Sequence, residues 1–203
     1  MIGTSVDTTQ SMDLLKGAYD NLLADICAAK YGPDNGVYSA LISWLESTDF
    51  YTAPASSRYH DSCPGGLLRH SLTVYNRAIE LHKLPQFSSC SLESITLVSL
   101  THDWCKIGYY EHYLKNVKED GQWHEVDAYR VNQRGIALGH GVSSMFLVNR
   151  FFKLNAEEAL AIRWHMGEYN VADNEVNELQ LANAHFPLVY LVQFADRLAC
   201  VEY

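Results

Sequence analysis

The sequence lacks any Cys-x-x-Cys pair, and its five cysteines, Cys27, Cys63, Cys90, Cys105 and Cys200, are odd in number. This argues against a disulfide scaffold and fits a reducing compartment. Cations are also scarce, with 15 Lys and Arg against 24 Asp and Glu and a formal charge of −9. Gripping duplex DNA needs clustered cations on phosphates, so that partner is not expected. A small anion stays open as a ligand, because a bound metal inverts the local field. No run reaches the ~20 apolar residues that a membrane helix requires, and Met-Ile-Gly-Thr-Ser-Val-Asp at the start has neither the basic region nor the apolar block of a signal peptide. The expectation is a cytoplasmic protein with no membrane partner.

What is present is an ordinary globular composition, 48% hydrophobic and 19% charged over 203 residues, enough for one domain or one domain with an appendage. Residues 1–10 are polar and read as frayed. Leu14, Leu15, Tyr19, Leu22, Leu23 and Ile26 trace one stripe of a helix that Gly32-Pro33 closes, and Val37 to Glu46 makes a second. Neither contains ligand candidates, so residues 1–49 read as an N-terminal helical cap and 50–203 as the functional domain. Residues 47–64 form a long irregular connection, and long loops in compact domains often carry function. Arg58 and His60 sit on it, close before the next helix, and are candidates for gripping a phosphate.

Gly65-Gly66 turns the chain into a helix of about Leu67 to Leu84 that carries His70 near its apolar side. A further helix ends in Leu-Val-Ser-Leu-Thr-His102-Asp103-Trp-Cys-Lys106-Ile-Gly108. Adjacent helical side chains diverge by about 100°, so His102 and Asp103 converge only on a centre lying over the helix end, and a divalent metal is such a centre. Cys105, within this motif, reads as a small buried residue or as a nucleophile. Residues 109–131 read as a β-hairpin turning at Asp120-Gly121, either a flap over the site or a surface ornament. His140 opens a helix running to about Phe152, where the backbone dipoles favour the neutral, metal-binding imidazole. Asn155 caps the next helix, which ends at His165. Residues 168–178 read as an acidic loop. A last helix from Pro187 to about Val201 carries Asp196, a carboxylate that is costly amid apolar neighbours unless it is paired. The whole is all-α, a helical bundle with one inserted hairpin.

The order His70, His102-Asp103, His140, His165, Asp196, together with His-Asp-x-x-Lys-x-Gly at 102–108, resembles the HD superfamily of metal-dependent phosphohydrolases over roughly residues 50–203. Pro64-Gly65-Gly66-Leu67-Leu68-Arg69-His70 is further similar to the HD domain of bacterial 3'-to-5' exoribonucleases. The resemblance implies the HD fold and a pair of divalent ions. His70, His102, Asp103 and Asp196 would hold one ion, and Asp103 would bridge to a second on His140 and His165. Iron or manganese comes first by resemblance, with nickel, cobalt, zinc or magnesium as alternatives.

The reaction implied is hydrolysis of a nucleotide-type phosphate ester, a nucleotide or a short RNA end, by a metal-bound hydroxide, with Asp103 and Lys106 as catalytic residues and Lys106 neutralising the phosphate. Lys106 also reads as a solvent-facing lysine. The resembling deoxynucleoside 5'-monophosphatases often have Glu at this position. Two other readings stay open: a di-iron oxygenase, as in another branch of the superfamily, and a non-catalytic metal-stabilised sensing domain.

Overall fold

The computed structural model describes residues 2–132, 138–169 and 171–201. Among them are eight α-helices: α1 (Met12–Tyr31), α2 (Val37–Glu46), α3 (Gly66–His82), α4 (Leu92–Thr101), α5 (His140–Val148), α6 (Ala156–Trp164), α7 (Val176–His185) and α8 (Pro187–Ala199). One antiparallel ribbon, β1 (Tyr110–Glu119) with β2 (Gln122–Val131), interrupts them. A helical bundle with an inserted hairpin is therefore the architecture.

Helix α3 lies at the centre, packed against α4 on one side and α8 on another, while α6 rests on α8 and α5 on α6. Its start is set by glycine. Gly65 holds φ +74, and a Cβ on Gly66 would overlap the Asp61 carbonyl oxygen. Only glycine lets the 47–64 connection run this close to the helix. Leu67 N–H donates to Ala53 O at 2.9 Å, and residues 53–56 are buried, so this connection is an integral wall of the bundle. At the other end of the site, a Cβ on Gly141 would overlap the Arg163 carbonyl oxygen, which brings the start of α5 against the end of α6.

The apolar side chains of residues 1–49 and of the rest merge into one core running from Leu15 to Ala199. Helix α1 does more than cover it. The Tyr19 hydroxyl, fully buried, donates to Leu100 O at 2.8 Å and accepts from Trp104 Nε1 at 3.0 Å, clasping the chain on both sides of the His102-Asp103 pair. A second buried link joins three helices. Glu158 completes a capping box with Asn155 at the start of α6, and its Oε1 accepts from Lys30 Nζ at 2.7 Å and Ser94 Oγ at 2.9 Å.

Three expectations are corrected. Residues 2–6 are anchored rather than frayed: Gly3 N–H donates to the Tyr75 hydroxyl, Asn76 pairs with both the N–H and the carbonyl of Val6, and Ile2 and Val6 pack on the core. The helix opened by His140 ends at Val148 rather than near Phe152. The acidic stretch is a loop only in part, since a 3₁₀ turn (Asp173–Glu175) leads into α7 at Val176; Asn170 lies outside the described residues. Helix α7 buries only Leu179 and Ala182, too few apolar positions to show a period.

The hairpin keeps the expected turn. Glu119 faces Gln122, and Asp120 (φ 50) and Gly121 (φ 82) form the two-residue left-handed turn that suits twisted strands. Among the described residues no helix is long and apolar enough to cross a membrane.

Tyr19→Phe removes one hydroxyl and strands two buried partners, a cost of about 1–3 kcal/mol. A melting temperature several degrees lower is expected by calorimetry; an unchanged one would show that the clasp is energetically idle.

Candidate metal centre

The six expected ligands come from five separate elements and meet in one place. His70 lies in the second turn of α3. His102 and Asp103 follow the last residue of α4, and Asp103 leaves the helix at φ −106, ψ 18. That break in helical geometry resolves the divergence of neighbouring side chains, because His102 is still helical and Asp103 is not. His140 is the first residue of α5, His165 the residue after α6, and Asp196 sits in the last turns of α8.

Asp103 is the hub, and its two oxygens keep different company. Oδ2 lies 3.5 Å from His70 Nε2, 3.4 Å from His102 Nε2 and 2.6 Å from Lys106 Nζ. Oδ1 lies 2.7 Å from His140 Nε2 and 3.4 Å from His165 Nε2. Asp196 Oδ1 closes the first set, 3.1 Å from His70 Nε2 and 3.8 Å from His102 Nε2. Ligand-type atoms of His70, His102 and Asp103, of His102, His165 and Asp196, and of Asp103, His140 and His165 lie within 4.8 Å of one another in each group.

The histidines are presented as ligands would be. His102 Nδ1 faces Ser99 O at 2.9 Å and His165 Nδ1 faces Ile162 O at 2.7 Å. A carbonyl on Nδ1 fixes the proton there and leaves the Nε2 lone pair pointing inward. Nε2 of His102, Nε2 of His165 and both nitrogens of His70 are buried with no hydrogen-bond partner. Orphaned buried polar atoms are costly, and four around two carboxylates form a nitrogen and oxygen donor set that fits a first-row divalent cation.

Burial would raise the Asp103 carboxyl, but Lys106 and His102 outweigh it and hold it well below the usual range. Asp196 is likewise lowered, burial being overcome by His70 and then His102. Burial lowers His165, which favours its neutral form. His140 departs from expectation. Burial would lower it too, but the Asp103 carboxylate and the Cys105 sulfur raise it to about 10. A full charge at 2.7 Å outweighs the fractional charge of a helix end. His140 is also the most open ligand candidate, its side chain 32% exposed.

Lys106 is neither solvent-facing nor free. It is 8% exposed, its ammonium is the direct counter-ion of Asp103, and that partner raises its pKa despite burial. His60 does reach the cluster, its ring centroid 4.7 Å from that of His70, and burial lowers it to about 4. Arg58 is exposed, and among the described residues it makes no hydrogen bond or ion pair to the cluster. Cys105 Sγ lies 3.3 Å from His140 Nδ1, and the Cys105 N–H donates to Ser144 Oγ at 3.0 Å. Residues missed from sequence are Tyr19 and Trp104, which brace the doublet from behind, and Cys200, whose Sγ lies 3.6 Å from His60 Nε2. The aromatic types carried no signal of this role, whereas Cys200 could have been found from its i+4 spacing to Asp196 on one helix face.

Comparison with protein-family models, with curated proteins and with solved structures returned no match.

A cation held by this set binds the folded chain and has no preformed site in the unfolded one, so it stabilises by about 2.7 kcal/mol at 100 times its Kd. Manganese, iron(II), cobalt or zinc should each raise the melting temperature of chelator-treated protein, and His102→Ala should sharply reduce the rise with manganese and iron(II). A melting temperature indifferent to all four ions would remove the metal from the reading.

Proposed function

We propose that the chain is a metal-dependent phosphoric ester hydrolase of the HD type, acting on a nucleotide-type phosphate ester such as a nucleotide or an RNA 3' end. The observation that carries this is the division of Asp103, one oxygen toward His70 and His102 and the other toward His140 and His165. A carboxylate shared in this way suits two ions, the first on His70, His102, Asp103 and Asp196, the second on Asp103, His140 and His165. When bound, such a pair lowers the pKa of a water and polarises a phosphoryl oxygen. The nitrogen-rich set favours manganese, iron, cobalt, nickel or zinc over magnesium.

The chain's own side chains supply the rest. Lys106 holds a permanent positive charge against the centre, placed to receive a phosphoryl or departing oxygen when Asp103 turns to a cation. His140, the most open of the ligands, marks the side on which solvent and substrate enter. His60 is held neutral beside His70, so it is a hydrogen-bonding group and not a charge for the phosphate. The formal charge of −9 restricts the substrate to a short anion gripped at the centre itself.

The test is a screen of phosphomonoesters, cyclic nucleotides, nucleoside triphosphates and short RNA with manganese, iron and nickel supplied separately. Phosphate ester cleavage in one class is expected, and Asp103→Ala should lose turnover together with the manganese or iron of this centre by elemental analysis. Oxygen uptake with a mixed-valent iron signal and no cleavage would overturn the proposal in favour of an oxygenase, and metal-dependent stability with neither reaction would point to a sensing domain.

Lys106→Ala frees Asp103 from its counter-ion, so metal content should hold or rise while turnover falls by about 10²-fold. Unchanged kinetics would reduce Lys106 to a structural ion pair.

A further inference from the structure

His70 differs from the other buried histidines of the centre. His102 and His165 each have one nitrogen tied to a backbone carbonyl and one left inward. His70 is 0% exposed and neither of its nitrogens has a hydrogen-bond partner. One ion uses one nitrogen, so the centre proposed above leaves a buried imidazole nitrogen unused. On the flank of His70 lie two more donors that this centre does not use. His60, from the 47–64 connection, sets its ring against His70, and Cys200, one turn beyond Asp196, places Sγ 3.6 Å from His60 Nε2 and 4.0 Å from Asp196 Oδ1. A ligand-type atom from each of His60, His70 and Cys200 lies within 4.8 Å of the other two.

We propose that His60, Cys200 and the second nitrogen of His70 form an additional cation position beside the main centre, selective for a thiophilic ion such as zinc or cobalt(II). Two imidazoles and a thiol are a softer set than the imidazoles and carboxylates of the centre next to it, because sulfur replaces the carboxylate oxygen, and softness of this kind selects among divalent ions. Three protein ligands leave a coordination place open to water or to an anion. Binding displaces the Cys200 thiol proton, since the thiolate is the ligand, and with both positions filled it also displaces the ring proton of His70, which would then serve both cations as an imidazolate. The position goes beyond the hydrolase reading and does not need turnover to exist; it shares His70 with that site and draws its other ligands from outside it.

The probe is cobalt(II) titrated into chelator-treated full-length protein, read by near-ultraviolet sulfur-to-cobalt charge transfer and by bound cobalt per chain. The band is expected in the natural sequence. Cys200→Ser should lose the band and one equivalent of cobalt, and His60→Gln should weaken the affinity of that equivalent at least tenfold. Asp103→Asn should keep the band while losing cobalt from the main centre, which separates failure of this position from failure of the hydrolase reading. Absence of the band in the natural sequence overturns the proposal. So does a band that survives Cys200→Ser and disappears in Cys105→Ser, since the sulfur ligand would then lie beside His140.

Discussion

The buried carboxylate of Asp103 is the constraint around which the chain is folded. An ionised group taken out of water costs several kcal/mol unless charges and donors surround it, and here Lys106 and four imidazoles do so. Satisfying one carboxylate from so many directions requires five elements to end or pass at the same point. This is why several of the candidate ligands fall at helix boundaries, His102 and His165 just past helix ends and His140 at a helix start. Helix ends can converge, whereas helix middles cannot approach closer than their side chains allow.

The apolar bundle keeps those ends in place. Tyr19 holds the backbone on either side of the doublet, and the Lys30, Ser94 and Glu158 knot fixes α6, and with it His165, to α1 and α4. The geometry of the His and Asp cluster is therefore maintained by groups that never touch it, including groups on the first helix. The close approach of Gly141 to Arg163 does the same for His140 and His165, since any larger residue would push α5 off the end of α6.

Much of this was legible in the sequence because local chemistry dictated it. Asp120-Gly121 between alternating aromatic and charged residues specifies a hairpin, and the structure turns there. Gly65-Gly66 and Pro187 mark starts of helices, and Asn155 with Glu158 spells its own cap. The six candidate ligands stood out as polar residues in apolar surroundings, and the structure brings them together. What stayed hidden depends on distant partners. Lys106 looks like a helix-end lysine until Asp103 is seen beneath it, and Glu158 looks like a first-turn acid until Lys30 and Ser94 arrive from other helices. Helix α7 was invisible because so little of it is buried, and the N-terminal segment because Asn76, which binds it, lies some 70 residues away.

The ribbon of β1 and β2 has one further consequence. Its residues are largely exposed on both faces, and its two ends are pinched together where the Asn132 N–H donates to Tyr109 O at 2.7 Å. The first and last residues of the ribbon thus lie side by side, like the two edges of one stem. Lengthening, shortening or recoding strands that are so largely exposed removes little from the buried core, so the interior tolerates change there more readily than in any helix that carries a side chain of the cluster.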